Sequence, residues 1–397
     1  MVGGHDGAGV LPSDQSTSLP HLCDPLAMPG PTRRQSTAPG TGPRARLKAV
    51  PSGDRDAGRA LLWGILLSTC LAFLTSFVSA NQNGPFGHRQ ESVQQQLALF
   101  RGEPLLYDGQ PSSYPAARNR VLFPALLVLA SRLVPTLRPS QWYLILRIAF
   151  GIGMFLTVYL VLYRSTRNFI LSVLGIALLA YCLLFTFSHA WEHAWDYGDA
   201  AFTFLFVFLT IRSCAATKAN RLFLLLATLV ATTNRESAAF AGVIWFCRHG
   251  IEGARWRLVP REALFGGFLS VMSYAVAIAL RAWFGGPGAA LSQLATAQVS
   301  ERLAYQAAVT LGTLRSGNPF SWLVLSAVLF APMIALIVRD RAFIDSCHRR
   351  LLAAAGVIAL TSLLFANINE LRAFIPVYSI LIYTVVLLEA TPSPMTS

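Results

Sequence analysis

Charge is what this chain has least of. Only 13% of its 397 residues are Asp, Glu, Lys or Arg, against roughly 25% in a soluble domain, so water is not the main solvent of its surface. Acids are the scarcer sign: 19 Asp and Glu stand against 32 Lys and Arg, a net charge of +13. No basic patch with interleaved aromatics accompanies that excess, which removes nucleic acid as a partner. The six cysteines (Cys23, Cys70, Cys182, Cys214, Cys247 and Cys347) form no C-x-x-C pair and no metal-ligand spacing, so no disulfide is expected. No clear internal repeat runs along the chain, which weighs against a secondary transporter built from duplicated halves. The first apolar run starts near residue 61, too late for a cleavable signal peptide. Residues 1–60, rich in Pro, Gly, Ser and Arg, are expected to form a disordered cytoplasmic tail.

What the chain does have is long apolar runs. The clearest are LLWGILLSTCLAFLTSFVSA (61–80), QWYLILRIAFGIGMFLTVYLVLY (141–163), FILSVLGIALLAYCLLFTFS (169–188), ALFGGFLSVMSYAVAIALRAWF (263–284) and FSWLVLSAVLFAPMIALIV (320–338). Each approaches the ~20 residues that span a bilayer as a helix. The expected fold class is an all-α integral membrane protein of about ten transmembrane helices. Its membrane domain covers 61–390, and a short cytoplasmic C-terminus, 391–397, follows.

Orientation follows from the cations. With the tail inside, run 61–80 delivers a long first outer loop, 81–139. Within it VLFPALLVLASRLV (121–134) is short for a span and is expected to be an amphipathic or re-entrant helix. The internal loops 164–168, 212–221, 248–262 and 339–350 then hold 13 Lys and Arg in 42 residues, and the outer segments hold 9 in 111, in keeping with the positive-inside rule. Segment 222–246 admits one tilted helix or two short ones. The hairpin is preferred, because a single helix would bury Arg235 and Glu236 mid-membrane. Spans of about a dozen residues at 200–211, 222–233 and 237–247 must be tilted, extended into polar flanks or partly re-entrant.

On this topology four polar clusters share the outer face: EPLLYDGQ (103–110), HAWEHAWDYGD (189–199), NRES (234–237) and NINELR (367–372). Loops are polar in any case, but Arg235, Glu236, Glu370 and Arg372 occupy very short turns between apolar helices, where charges are costly and usually paired or functional. At helical spacing His189, Glu192, His193 and Asp196 fall on one stripe, with Trp191 and Trp195 opposite and facing lipid. H-A-W-E-H also fits the H-x-x-E-H pattern in which two histidines (His189, His193) hold zinc and a glutamate (Glu192) acts as base. A third ligand would have to come from Glu236 or Asp108. The bland alternative is a polar helix rim with no metal.

The most specific stretch is YDGQPSSYPAARNRVLFPALLVLASRL (107–133). It resembles the first outer loop of bacterial polytopic glycosyltransferases of the GT-C superfamily. The D-G-Q-x-x-x-Y element is Asp108, Gly109, Gln110 and Tyr114, and R-x-R-x-L-x-P is Arg118, Arg120, Leu122 and Pro124. NRES resembles the family's later Arg-Glu turn, and NELRAFIPVY (369–378) its late E-x-R helix start. The spacing from D-G-Q to R-x-R is compressed, and the loop has no early Asp-x-Asp or Asp-Glu pair. The resemblance implies transfer of a sugar from a polyprenyl-phosphate donor to a lipid-linked or surface glycan acceptor, outside the cytoplasmic membrane of a bacterium. It implies Asp108 as base or as ligand of a divalent cation (Mg or Mn; Zn in the hydrolase alternative). Arg235 and Arg372 would hold phosphate with Arg118 or Arg120 assisting, and Glu236 and Glu370 would orient the arginines. Tyr114 would contact substrate, and Glu192, His193 and Asp196 would line the sugar or metal pocket. A membrane zinc hydrolase, a transporter and a polysaccharide polymerase are the competing classes.

Overall fold

Without water, an apolar segment of twenty residues can satisfy its own backbone hydrogen bonds only as a helix. The computed structural model describes residues 54–82, 97–98, 100, 106–107, 110–111, 120–189, 194–212, 217–252, 257–285, 304, 308, 319–365 and 371–391, and helices dominate them. They are α1 (Asp54–Gln82), α2 (Leu122–Leu133), α3 (Pro139–Thr166), α4 (Phe169–His189), α5 (Ala194–Ile211), α6 (Lys218–Asn234), α7 (Phe240–Trp245), α8 (Pro260–Gly285), α9 (Pro319–Arg339), α10 (Ser346–Phe365) and α11 (Ile375–Ala390). Two short antiparallel strand pairs join them, Leu106–Tyr107 with Gln110–Pro111 and Ile251–Glu252 with Arg257–Leu258. Six helical segments are long and apolar enough to cross a bilayer: 58–77, 139–166, 169–187, 194–211, 260–284 and 371–390. The architecture is that of an all-α membrane protein. Helix α1 starts at Asp54, so residues 54–60 belong to a helix and not to the expected tail.

Side chains fix the direction of each helix and give the bundle two distinct ends. Tyr159 donates to the Ala60 carbonyl at 2.7 Å and Arg147 to that of Ser76 at 3.1 Å, so α1 and α3 run antiparallel. Asn234 donates to the Trp195 carbonyl at 2.8 Å. At the opposite end of the same helices, His249 meets the Thr210 carbonyl at 2.7 Å and Arg221 meets Glu262 at 2.7 Å. We call these the Asp196 end and the His249 end. Arg167, with φ 52°, terminates α3 at the His249 end in the left-handed conformation.

Segment 222–250 forms the hairpin expected from its central charges. Helix α6 stops at Asn234, Arg235 adopts an extended conformation (φ −162°, ψ 147°), and the chain returns through a 3-10 turn (Glu236–Ala239), α7 and a π-helical turn (Phe246–Gly250). Ser273 on α8 bonds Thr232 of the outgoing leg at 2.8 Å, and Ser270 bonds the Ala239 carbonyl of the returning leg at 2.8 Å. The returning leg can approach α8 this closely because Gly242 faces Gly266. A Cβ at Gly242 would lie 2.2 Å from the Gly266 carbonyl oxygen. The segments that looked a dozen residues long are completed by polar flanks: α5 has 18 residues and α6 has 17.

Helix α11 is enclosed on nearly every side, its Tyr378 and Tyr383 fully buried against α4 and α5. Helices α1 and α8 turn Trp63, Phe73 and Phe77, and Leu264, Val271 and Trp283, outward. Apolar surface on that scale suits lipid as solvent. The short helix α2 buries one face and leaves apolar side chains exposed on the other. Phe123 packs edge-on to Tyr143 and Phe150 of α3, ring centroids 5.3 Å apart, while Leu129 and Leu133 are exposed.

Candidate functional site

Asp196 and Asp199 lie three residues apart in the first turns of α5, so both carboxylates project from one face of the helix. That face is directed into the bundle, where Asp196 is completely buried and Asp199 nearly so. Buried carboxylates need partners, and the turn after α6 brings them. Arg235 Nη1 lies 3.0 Å from Asp196 Oδ1 and 3.1 Å from Asp199 Oδ2, and Ser237 Oγ donates to Asp199 Oδ1. The same Nη1 reaches the Arg372 carbonyl at 3.4 Å, which ties the start of the last helical segment to the hairpin tip.

Glu236 points the other way. Its Oε1 lies 3.4 Å from Arg120 Nη2 at the start of α2 and 3.7 Å from Arg281 Nη2 near the end of α8. Burial works to raise the Glu236 carboxyl, but Arg120, Arg235 and Arg281 together outweigh it and hold the pKa down at about 2. The Arg120 guanidinium lies 5.2 Å above the Trp195 ring, within cation–π range. Asn234 packs against Gly198, whose added Cβ would sit 2.7 Å from the amide. The glycine thereby lets the tips of α5 and α6 meet.

The residues just before α2, the start of α5, the hairpin tip, the end of α8 and the start of the last helical segment therefore converge. Of the residues singled out in the sequence, Arg120, Asp196, Arg235, Glu236 and Arg372 are brought to this end. Asp108, Tyr114, Arg118, Glu192, His193 and Glu370 lie outside the described residues, as does the His189 side chain. Tyr107 and Gln110, which flank Asp108 and Gly109, pair antiparallel. Among the described residues no three His, Cys, Asp or Glu side chains converge to hold a metal ion.

Two expectations need correction. His189 and Asp196 do not share one helical stripe, since His189 ends α4 and Asp196 sits in the first turn of α5. Trp195 does not face lipid: it is 8% exposed and lies beneath Arg120. Helices α4 and α5 flank this stretch as separate elements, and the Trp195 ring supplies a partner for a buried cation.

Asp199, Ser237 and Arg281 were not singled out in the sequence. Asp199 could have been found, being three residues from Asp196 on a helix. Arg281 carried a stronger signal, an unexplained cation inside the run ALRAWF. Ser237 has no comparable signature. Comparison of the chain with family models, curated proteins and solved structures finds no match in any of the three.

Proposed function

We propose that the chain is a membrane glycosyltransferase that moves a sugar from a polyprenyl-phosphate donor to a lipid-linked or surface glycan acceptor at the outer face of the cytoplasmic membrane. In this reading α1, α3 to α6, the 237–247 leg and α8 to α11 each cross the bilayer, ten passes in all, and the Asp196 end faces outward. The observation that carries the proposal is the convergence of Asp196, Asp199, Arg235, Glu236, Arg120 and Arg281 at one end of an otherwise apolar bundle.

That constellation suits the chemistry. An acceptor hydroxyl needs a carboxylate to take its proton as the glycosidic bond forms. Asp108, in the first outer loop, and Asp196 and Asp199 are the carboxylates offered for that role and for holding a divalent cation. The leaving lipid phosphate needs cationic donors, and guanidinium forks suit its oxygens. Arg235 already bridges Asp196 and Asp199, which makes it a positioning residue for the carboxylates as well as a cation near the departing charge. The apolar helix faces beside this end supply a lipid-miscible path for the polyprenyl chain.

The test uses purified full-length protein in liposomes with a panel of radiolabelled polyprenyl-phosphate sugars and bacterial lipid acceptors. Transfer by the wild type that is lost in Asp108→Ala is the expected result. No turnover with any donor, together with stoichiometric zinc that His193→Ala loses, contradicts it and favours a hydrolase.

A further inference from the structure

Resting on that reading, we infer that Arg120 and Arg281 form a clamp for the phosphate of a lipid-linked substrate, and that the Glu236 carboxylate is the resident stand-in for that anion. Both arginines are buried, with 8% and 9% of their surface exposed, yet they stand 161 residues apart in the chain and converge on a single carboxylate oxygen. The contacts, 3.4 Å and 3.7 Å to Glu236 Oε1, are longer than the ~2.7–2.9 Å of a close charge-assisted hydrogen bond. One carboxylate oxygen thus lies between two guanidinium groups at more than close hydrogen-bond range from each.

A phosphate group presents three oxygens around one centre and can meet both guanidinium groups at shorter range. Arg120 Nε supports the same conclusion: it is buried with no hydrogen-bond partner among the described residues, while Arg120 Nη2 reaches Glu236. The guanidinium lies 5.2 Å from the Trp195 ring centroid, and Nε is an uncommitted donor beside Nη2. The Glu236 side chain is the most open member of the cluster, 35% exposed against 9% and 11% for the two arginine side chains. It heads a short 3-10 turn, from which it can swing outward when a stronger anion arrives. The Glu236 carboxylate helps to compensate two buried cations, whose charge is costly at that depth without an anion nearby.

The experiment measures binding alone, by titration calorimetry on the full chain in nanodiscs of neutral phosphatidylcholine. The probes are farnesyl phosphate, farnesol and inorganic phosphate. Farnesyl phosphate is expected to bind far more tightly than farnesol. Arg281→Ala should weaken it by about tenfold or more, the scale of losing a charged hydrogen bond, and Glu236→Gln should tighten it by removing the competing anion. Arg281→Lys, which keeps the charge and loses the fork, should fall between wild type and Arg281→Ala and stands in if the alanine variant does not fold. Inorganic phosphate matching farnesyl phosphate would support the clamp and name a free anion as its ligand. Farnesyl phosphate binding that is indifferent to Arg281→Lys, or that weakens in Glu236→Gln, overturns the clamp. Because no probe carries a sugar, binding without any transfer activity contradicts the glycosyltransferase reading and leaves the clamp standing. Transfer with binding untouched by these variants does the reverse.

Discussion

Arg235 and Asp196 face each other at 3.0 Å with the carboxylate wholly inside the bundle. This pair locks the tip of the α6–α7 hairpin to the first turn of α5. Removing one partner of a buried pair strands the other, which costs about 3–5 kcal/mol. Arg235→Ala leaves Asp196 and Asp199 side by side without their shared cation, so it should lower thermal stability in detergent by that amount. Arg235→Lys should recover part of it. A melting temperature unchanged in Arg235→Ala would contradict the pairing.

The α5–α6 contact has a steric test. A Cβ on Gly198 would lie 2.7 Å from the Asn234 amide, whereas one on Gly153 would meet nothing within 4 Å. Gly198→Ala should cost about 1–3 kcal/mol through overpacking, while Gly153→Ala should be neutral or slightly stabilising. Parallel melts of the two variants decide it, and equal behaviour would refute the close approach.

How much of this was legible beforehand depended on whether the signal was local. The apolar runs, the cation bias and the charged tip at Arg235–Glu236 are local, and they suffice to expect the hairpin and the meeting of its tip with Asp196. A single helical stripe through HAWEHAWD would turn Trp195 toward lipid, whereas α4 and α5 are separate elements and Trp195 is buried beneath Arg120. The rotation of α5 about its own axis then follows from packing against α3, α6 and α11, which no single stretch encodes. Arg281 and Glu236 are 45 residues apart, and only the way α8 packs along the hairpin brings them together.

The Glu236 pKa predicts a pH dependence. A carboxyl held at about 2 by Arg120, Arg235 and Arg281 against its own burial sits below the unfolded value of about 4.3. The stabilisation is therefore fully present above that unfolded value and fades as pH falls through the folded one. Removing Arg281 takes away one of the lowering charges. In Arg281→Ala the folded value moves up toward the unfolded one, so the acid-side loss of stability should be smaller and should level off at higher pH than in the wild type, measured as melting temperature between about pH 2 and 6. Superimposable curves would show that Arg281 does not act on Glu236.

The opposite end supplies a control. Glu262 accepts from Arg221 Nη2 at 2.7 Å and from Trp245 Nε1 at 3.2 Å, pinning the starts of α6 and α8 to the end of α7. Glu262→Gln should cost about 1–3 kcal/mol of stability, the scale of a charged hydrogen bond. It should leave the KM for donor unchanged, since none of these groups reaches the Asp196 end. A changed KM with an unchanged melt would move the site to the wrong face.

The most direct test of the central claim is sugar transfer in proteoliposomes by wild type, Asp199→Asn and Glu262→Gln, each first shown to be folded. Asp199→Asn keeps the shape and the acceptor oxygen for Ser237 and removes the charge that Arg235 compensates. Turnover falling by about a hundredfold or more in Asp199→Asn, within the range that positioned acid–base groups contribute, and staying near wild type in Glu262→Gln is the predicted result. Transfer unaffected by Asp199→Asn, or absent from the wild type with every polyprenyl-phosphate donor, would contradict it.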